Sequence, residues 1–181
     1  MKKSVIGAIV GGIILFIWQA LSNTVLNLHY DSHRYTPAQD SILHYLNAQL
    51  KEDGRYFMPT LPRGASMDDY EKLARTSEGK PWAIIDYHTS LKTDMPMQML
   101  RTLLTDIIIV WLLCWILLKI PNRNVINIFF ASLFTGLIVF LNSFYTQYIW
   151  YRSTGLNTYL IDALASWGLC GIWLGIWLRK T

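Results

Sequence analysis

Carboxylates are scarce over more than half of this chain. Of its twelve Asp and Glu residues, ten lie between Leu21 and Arg101; only Asp106 and Asp162 lie elsewhere. A soluble domain of this length carries charge on every surface element, so four separate charge-poor runs exclude that arrangement. Histidine is absent from all four runs, which argues against a buried bis-histidine haem. Cysteine occurs twice, as Cys114 and Cys170. A bridge between them needs close backbones and an oxidant, so they are read as small packing residues. Neither a phosphate loop nor a dinucleotide fingerprint is present. No basic stripe alternates with aromatics, so the net charge of +4 does not point to nucleic acid.

What the chain has instead is length in its apolar runs. Val5 to Leu21, Thr102 to Leu118, Ile126 to Leu141 and Thr158 to Leu178 are each long enough for a spanning helix. The bulk hydrophobic content of 52% hides this segregation. Lys2, Lys3, Lys119, Arg123, Arg179 and Lys180 flank the runs on one side with no acid among them. The loop from Leu21 to Arg101 carries ten acidic and nine basic residues. This positive-inside pattern predicts both termini in the cytoplasm. A secretory signal peptide is the rival reading of the first run, but Gln19 to Asn23 offers no A-x-A site, so retention as a helix is expected. Gly7 and Gly11 form a small-xxx-small pair suited to close packing. The domain plan is 1–22 as a first transmembrane helix, 23–101 as an extracytoplasmic α+β insert, and 102–181 as transmembrane helices two to four. The fold class is an all-α transmembrane four-helix bundle of two tandem hairpins carrying that insert.

An internal echo relates the second and fourth runs. Thr102, Leu104, Asp106, Trp111, Leu113 and Cys114 recur at identical spacing as Thr158, Leu160, Asp162, Trp167, Leu169 and Cys170. Gly12 to Ile17 and Gly136 to Leu141 echo more faintly. Chance similarity among apolar runs is the competing account, and the rare Asp, Trp and Cys matches carry the weight against it. Parallel repeats imply a pseudo-two-fold axis along the membrane normal. The echo puts Asp106 and Asp162 at matched height near the outer edge of the hydrocarbon, facing the bundle. With Gln19 and Asn142 they are the candidate polar intramembrane cluster. The bland alternative is that these carboxylates hydrogen-bond helix ends and hold packing. Trp18, Trp150 and Tyr151 mark the outer interface, with Phe144 to Arg152 lying along the headgroups. Trp173 and Trp177 anchor the cytoplasmic side.

The insert is near the lower size limit for a core of its own. Thr36, Pro37 and Gln39 predict a capped helix that ends by Gly54. Arg55 to Met58 reads as a short strand. Ser66 with Asp69 predicts a second capped helix, stopped by Gly79 and Pro81. Trp82 to His88 reads as a strand pairing in parallel with the first. His29, His33, His44 and His88 all fall in this region. Met95, Met97 and Met99 alternate as in copper-handling segments, although they also suit packing where the chain re-enters the bilayer. No zinc spacing appears, so metal binding is left unknown and no cofactor is expected. Asp86, His88 and Ser66 do not make a catalytic triad, since no nucleophile-elbow glycines surround Ser66. No catalytic residue is assigned.

In its general pattern the chain resembles the small, uncharacterised four-helix integral membrane proteins of bacteria. The carrying features are the first helix ending near Trp18 and Ser22; Thr36, Pro37, Gln39 and Asp40; Gly54, Tyr56, Pro59, Pro62, Gly64 and Ala65; and the return at Leu104 and Asp106. They cover roughly the first 110 residues, and none is a specific motif. The resemblance implies a bacterial inner-membrane location and no chemistry. Two functions are expected. One is a non-enzymatic accessory or assembly subunit presenting its insert to a membrane-protein partner. The other is a small oligomeric transporter or ion-coupled protein using Asp106 and Asp162.

Overall fold

The computed structural model describes residues 2–179, the Asp31 side chain apart; Lys180 of the basic flank lies outside the described residues. Four helices are long and apolar enough to cross a membrane, and they support a multi-pass membrane protein. The first is α1 (Lys2–Ala20), which runs on through a π-helical turn, Leu21–Val25. Then follow α2 (Gln39–Gln49), β1 (Gly54–Met58), α3 (Met67–Ser77) and β2 (Ala83–Tyr87). The long helix α4 (Met95–Leu117) follows, then α5 (Val125–Phe140), a second π turn (Leu141–Tyr145), α6 (Thr146–Tyr151) and α7 (Leu156–Leu178).

The helix ends are set by identifiable groups. The Asp94 carboxylate accepts the Met97 amide at 3.2 Å, and Pro96 sits in the first turn of α4, where its missing N–H costs nothing. At the far end Arg123 donates to the Leu118 carbonyl at 2.8 Å. Asn124 caps α5 through the Asn127 amide at 2.7 Å. The run Phe144 to Arg152, expected along the headgroups, is helical through Tyr151 and continues α5 as one span, Val125–Tyr151. Its residues contain no breaker, and the helix stops only where Arg152 turns left-handed at φ 45°.

The chain divides into two compact units, residues 35–93 and the remainder. Residues 23–34 and 94–101, grouped with the insert by hydropathy, therefore fold with the helices. In the helical unit α1 packs on α4 and on α7, and α5 packs on α7, while α4 and α5 scarcely touch. Glycine permits these approaches. A Cβ at Gly12 would lie 2.7 Å from the Ile107 Cα, and one at Gly136 would lie 2.5 Å from the Trp167 ring. Gly7 and Gly11 face Cys114 and Cys170, both free and buried. Leu15, Val110, Leu117, Ile128 and Leu174 complete the core. Trp173 and Trp177, read as interface anchors, are stacked 5.4 Å apart against that core, and Trp177 donates to the Lys3 carbonyl at 2.8 Å.

In the insert unit β1 and β2 pair antiparallel, Gly54 opposite Tyr87 and Met58 opposite Ala83, which corrects the parallel expectation. A two-stranded ribbon open to water favours the antiparallel ladder, because parallel pairs need helices over both faces. α3 has the expected capping box, the Ser66 and Asp69 side chains each bonding the other's amide. α2 begins two residues later than Pro37 predicts. Ala38 is its N-cap, and the Thr36 hydroxyl instead accepts the Ala38 amide at 3.3 Å.

Candidate functional site

The helical unit holds a half-open cavity of about 420 Å³ walled by all four long helical spans. α1 supplies Trp18 and Gln19, α4 supplies Asp106, α5 supplies Gly136 and Phe140, and α7 supplies Tyr159, Asp162 and Trp167. The weak contact between α4 and α5 leaves that side of the cavity unsealed by helix packing.

Asp162 is the more heavily bonded carboxylate. Its Oδ1 accepts from the Trp18 indole at 2.9 Å and from the Ser22 hydroxyl at 2.6 Å. Its Oδ2 lies 2.7 Å from His29 Nε2. Asp106 is 4% exposed. Its Oδ1 accepts from the Gln19 amide at 3.1 Å, and its Oδ2 is buried with no hydrogen-bond partner among the described residues. A buried carboxylate oxygen left unpaired is costly to hold ionised. Trp18 and Gln19 are consecutive on α1, about 1.5 Å apart along its axis, so the two carboxylates meet α1 at nearly one height.

Of the four residues named from sequence, Gln19, Asp106 and Asp162 line this cavity. Asn142 is exposed in the second π turn and lies outside the cavity wall. His29 was missed as a member of the cluster. It reaches Asp162 because Asn27 turns left-handed (φ 52°) and folds the chain back, so that Leu28 N–H meets the Ser22 carbonyl at 2.9 Å. Thr158 then donates to the Leu28 carbonyl at 3.0 Å. An Asn followed within two residues by His, just beyond a helix rich in polar residues at its end, was the available signal. His29 also meets the Tyr159 ring edge-on at 5.1 Å, and Tyr159 stacks on Phe144 at 4.0 Å.

The other candidates are not assembled. Met95, Met97 and Met99 lie on the first turns of α4, where alternate residues are about 200° apart around the axis, so the three do not converge. Among the described residues no group of three or more His, Cys, Asp or Glu side chains is arranged to hold a metal ion. Asp86 pairs with Arg55 at 3.7 Å, His88 with Asp53 at 3.3 Å, and Ser66 with Asp69.

The fold and this cavity define a class: a helical bundle of four long apolar helices, carrying a small two-stranded insert, that supports a multi-pass membrane protein. The chain matches no family model, no curated protein and no solved structure.

Proposed function

We propose that this chain is a non-enzymatic, ion-coupled membrane protein, a small transporter working as an oligomer, with Asp106 and Asp162 as its working carboxylates. One observation carries the reading: two carboxylates on different helices share a single cavity, one in contact with a histidine and the other with an unpaired oxygen. Ionisable groups inside a spanning bundle are costly to keep and mark ion or proton paths by default. In this reading the His29–Asp162 pair takes up and releases a proton, and Asp106 answers to the state of the cavity. The basic flanks support cytoplasmic termini, and the pattern resemblance supports a bacterial inner membrane.

The test is proton flux in proteoliposomes under an imposed pH gradient, read by a trapped pH-sensitive dye. Asp106→Asn and Asp162→Asn each lower flux, Asp162→Asn the more. Flux unchanged in the double variant removes the aspartates from the mechanism.

An accessory or assembly role is the second reading, and the insert favours it. Phe57, Tyr70, Leu73 and Trp82 surround an apolar groove of about 600 Å³ on that unit. This reading predicts a membrane-protein partner that co-purifies after mild detergent extraction. Recovery as a lone species across several detergents counts against it.

A further inference from the structure

We infer that the cavity between the four helices binds a small organic cation, with its charge at the Asp106 carboxylate and its alkyl groups against the aromatic wall. The inference builds on the ion-coupled reading of the same site and names the class of ligand.

Three observations converge on it. The volume of about 420 Å³ falls in the range of small-molecule sites, roughly 300–1,000 Å³. The wall is aromatic on several sides: Trp18, Phe140, Phe144, Tyr159 and Trp167 all line it. Such rings attract alkylammonium groups through their negative faces, most strongly where water is excluded. The third observation selects charge over a neutral apolar guest. Asp106 Oδ2 is buried and unpaired, while both oxygens of Asp162 are already engaged. A compact inorganic cation needs several oxygen ligands at once, and the wall's polar side chains Gln19, Asn23, His29 and Ser166 are already bonded within the protein. An alkylammonium asks for little more than one counter-charge and a set of π faces. Asp162 is bonded to His29, Trp18 and Ser22, so the carboxylate left to meet the ligand is that of Asp106. The thin contact between α4 and α5 gives such a ligand a side of the cavity that helix packing does not close.

The experiment uses the full chain in lipid nanodiscs and two probes of one shape: choline, and its uncharged isostere 3,3-dimethylbutan-1-ol. Binding is read by calorimetry and by tryptophan emission, since Trp18 and Trp167 line the cavity. Choline is expected to bind saturably, and the isostere about tenfold or more weaker. Asp106→Asn keeps an acceptor for Gln19, so the helices stay together; it weakens choline about tenfold and leaves the isostere unchanged. Phe144→Leu removes one ring of the wall and its stack on Tyr159, and it weakens choline about threefold in protein that is still folded at the assay temperature. Equal affinity for the two probes, choline binding unaffected by Asp106→Asn, or no saturable binding of choline overturns the inference. The proton-flux assay separates the two claims. If choline fails to bind but Asp162→Asn still abolishes flux, the cation site falls and the ion-coupled reading stands. If choline binds and neither Asn variant changes flux, the cation site stands and the coupling falls.

Discussion

Among the described residues, Asp162 is hydrogen-bonded by three side chains, from Trp18, Ser22 and His29, and Asp106 by one, from Gln19. The two aspartates stand at equivalent places in the two echoing segments, and so do Trp111 and Trp167. Yet Trp167 is 7% exposed and Trp111 is 46% exposed. The difference traces to how the hairpins meet. α1 lies against both α4 and α7, but α5 lies mainly against α7, so α7 is the inner helix of its pair and α4 the outer. The glycines register the same offset. Gly12 abuts Ile107, whereas its counterpart Gly136 abuts Trp167, the equivalent of Trp111, one turn further along. A shared sequence pattern has been placed in two unequal packing environments, leaving one carboxylate satisfied and one unsatisfied.

The largest expected effect that would sharpen this contrast is at the tryptophans. Trp167→Ala should cost about 3 kcal/mol, because it empties a buried site against Gly136; Trp111→Ala should cost well under half of that. Reversible unfolding in mixed micelles measures both, and equal losses would break the asymmetry. Next come the carboxylates. Asp162→Ala strands the Trp18, Ser22 and His29 polar groups and should cost about 2 kcal/mol, while Asp106→Asn, which keeps the Gln19 bond, should cost less than about 1 kcal/mol. If Asp106→Asn proves the more damaging, the roles of the two residues are reversed.

Glycines give a smaller and more local check. Gly12→Ala presses on the Ile107 backbone and should destabilise by about 1–3 kcal/mol. Gly168→Ala, where an added Cβ meets nothing within 4 Å, should be neutral or slightly stabilising. Thermal unfolding of the two variants side by side decides it.

The smallest effect calibrates the comparison with a third carboxylate, Asp53 of the insert. Like Asp162 it collects several donors, but in water. The Thr89 hydroxyl and amide and the His88 ring hold its pKa down to about 2 from an ordinary 3.8. A folded pKa below the unfolded one adds stability that is complete above the ordinary value and is lost as pH falls through about 2. The Thr89 amide resonance should titrate with a midpoint near that value, and Asp53→Asn should remove the titration. A midpoint near the ordinary value would mean that converging donors do not hold a carboxylate in this fold.

Several parts of this arrangement were legible in the residues. The four apolar runs stand out because charge is excluded from them, and the Ser66–Asp69 capping box follows from local chemistry alone. Asp106, Asp162 and Gln19 were legible as polar groups too costly to face lipid. Other features depended on tertiary contacts. The first turns of α4 hide behind Pro96 and Arg101, which lower the apparent apolar length of a helix that begins at Met95. His29 belongs to the cavity only through the left-handed turn at Asn27 and the bond from Thr158, which comes from a helix 130 residues away. The antiparallel ladder was not readable because strand direction depends on how the chain between Met58 and Ala83 returns, and both directions fit the same two hydrophobic stretches.

Trp18 and Gln19 are neighbours on one stiff helix, pointing about 100° apart. Each holds a different aspartate on a different hairpin. α1 thus works as a crossbar: a small twist about its own axis that lengthens one of these bonds must also move the other. The two acidic positions therefore share a mechanical degree of freedom through α1. The π turn that begins at Leu21 lies immediately beyond the crossbar, where the backbone winding is already loosened.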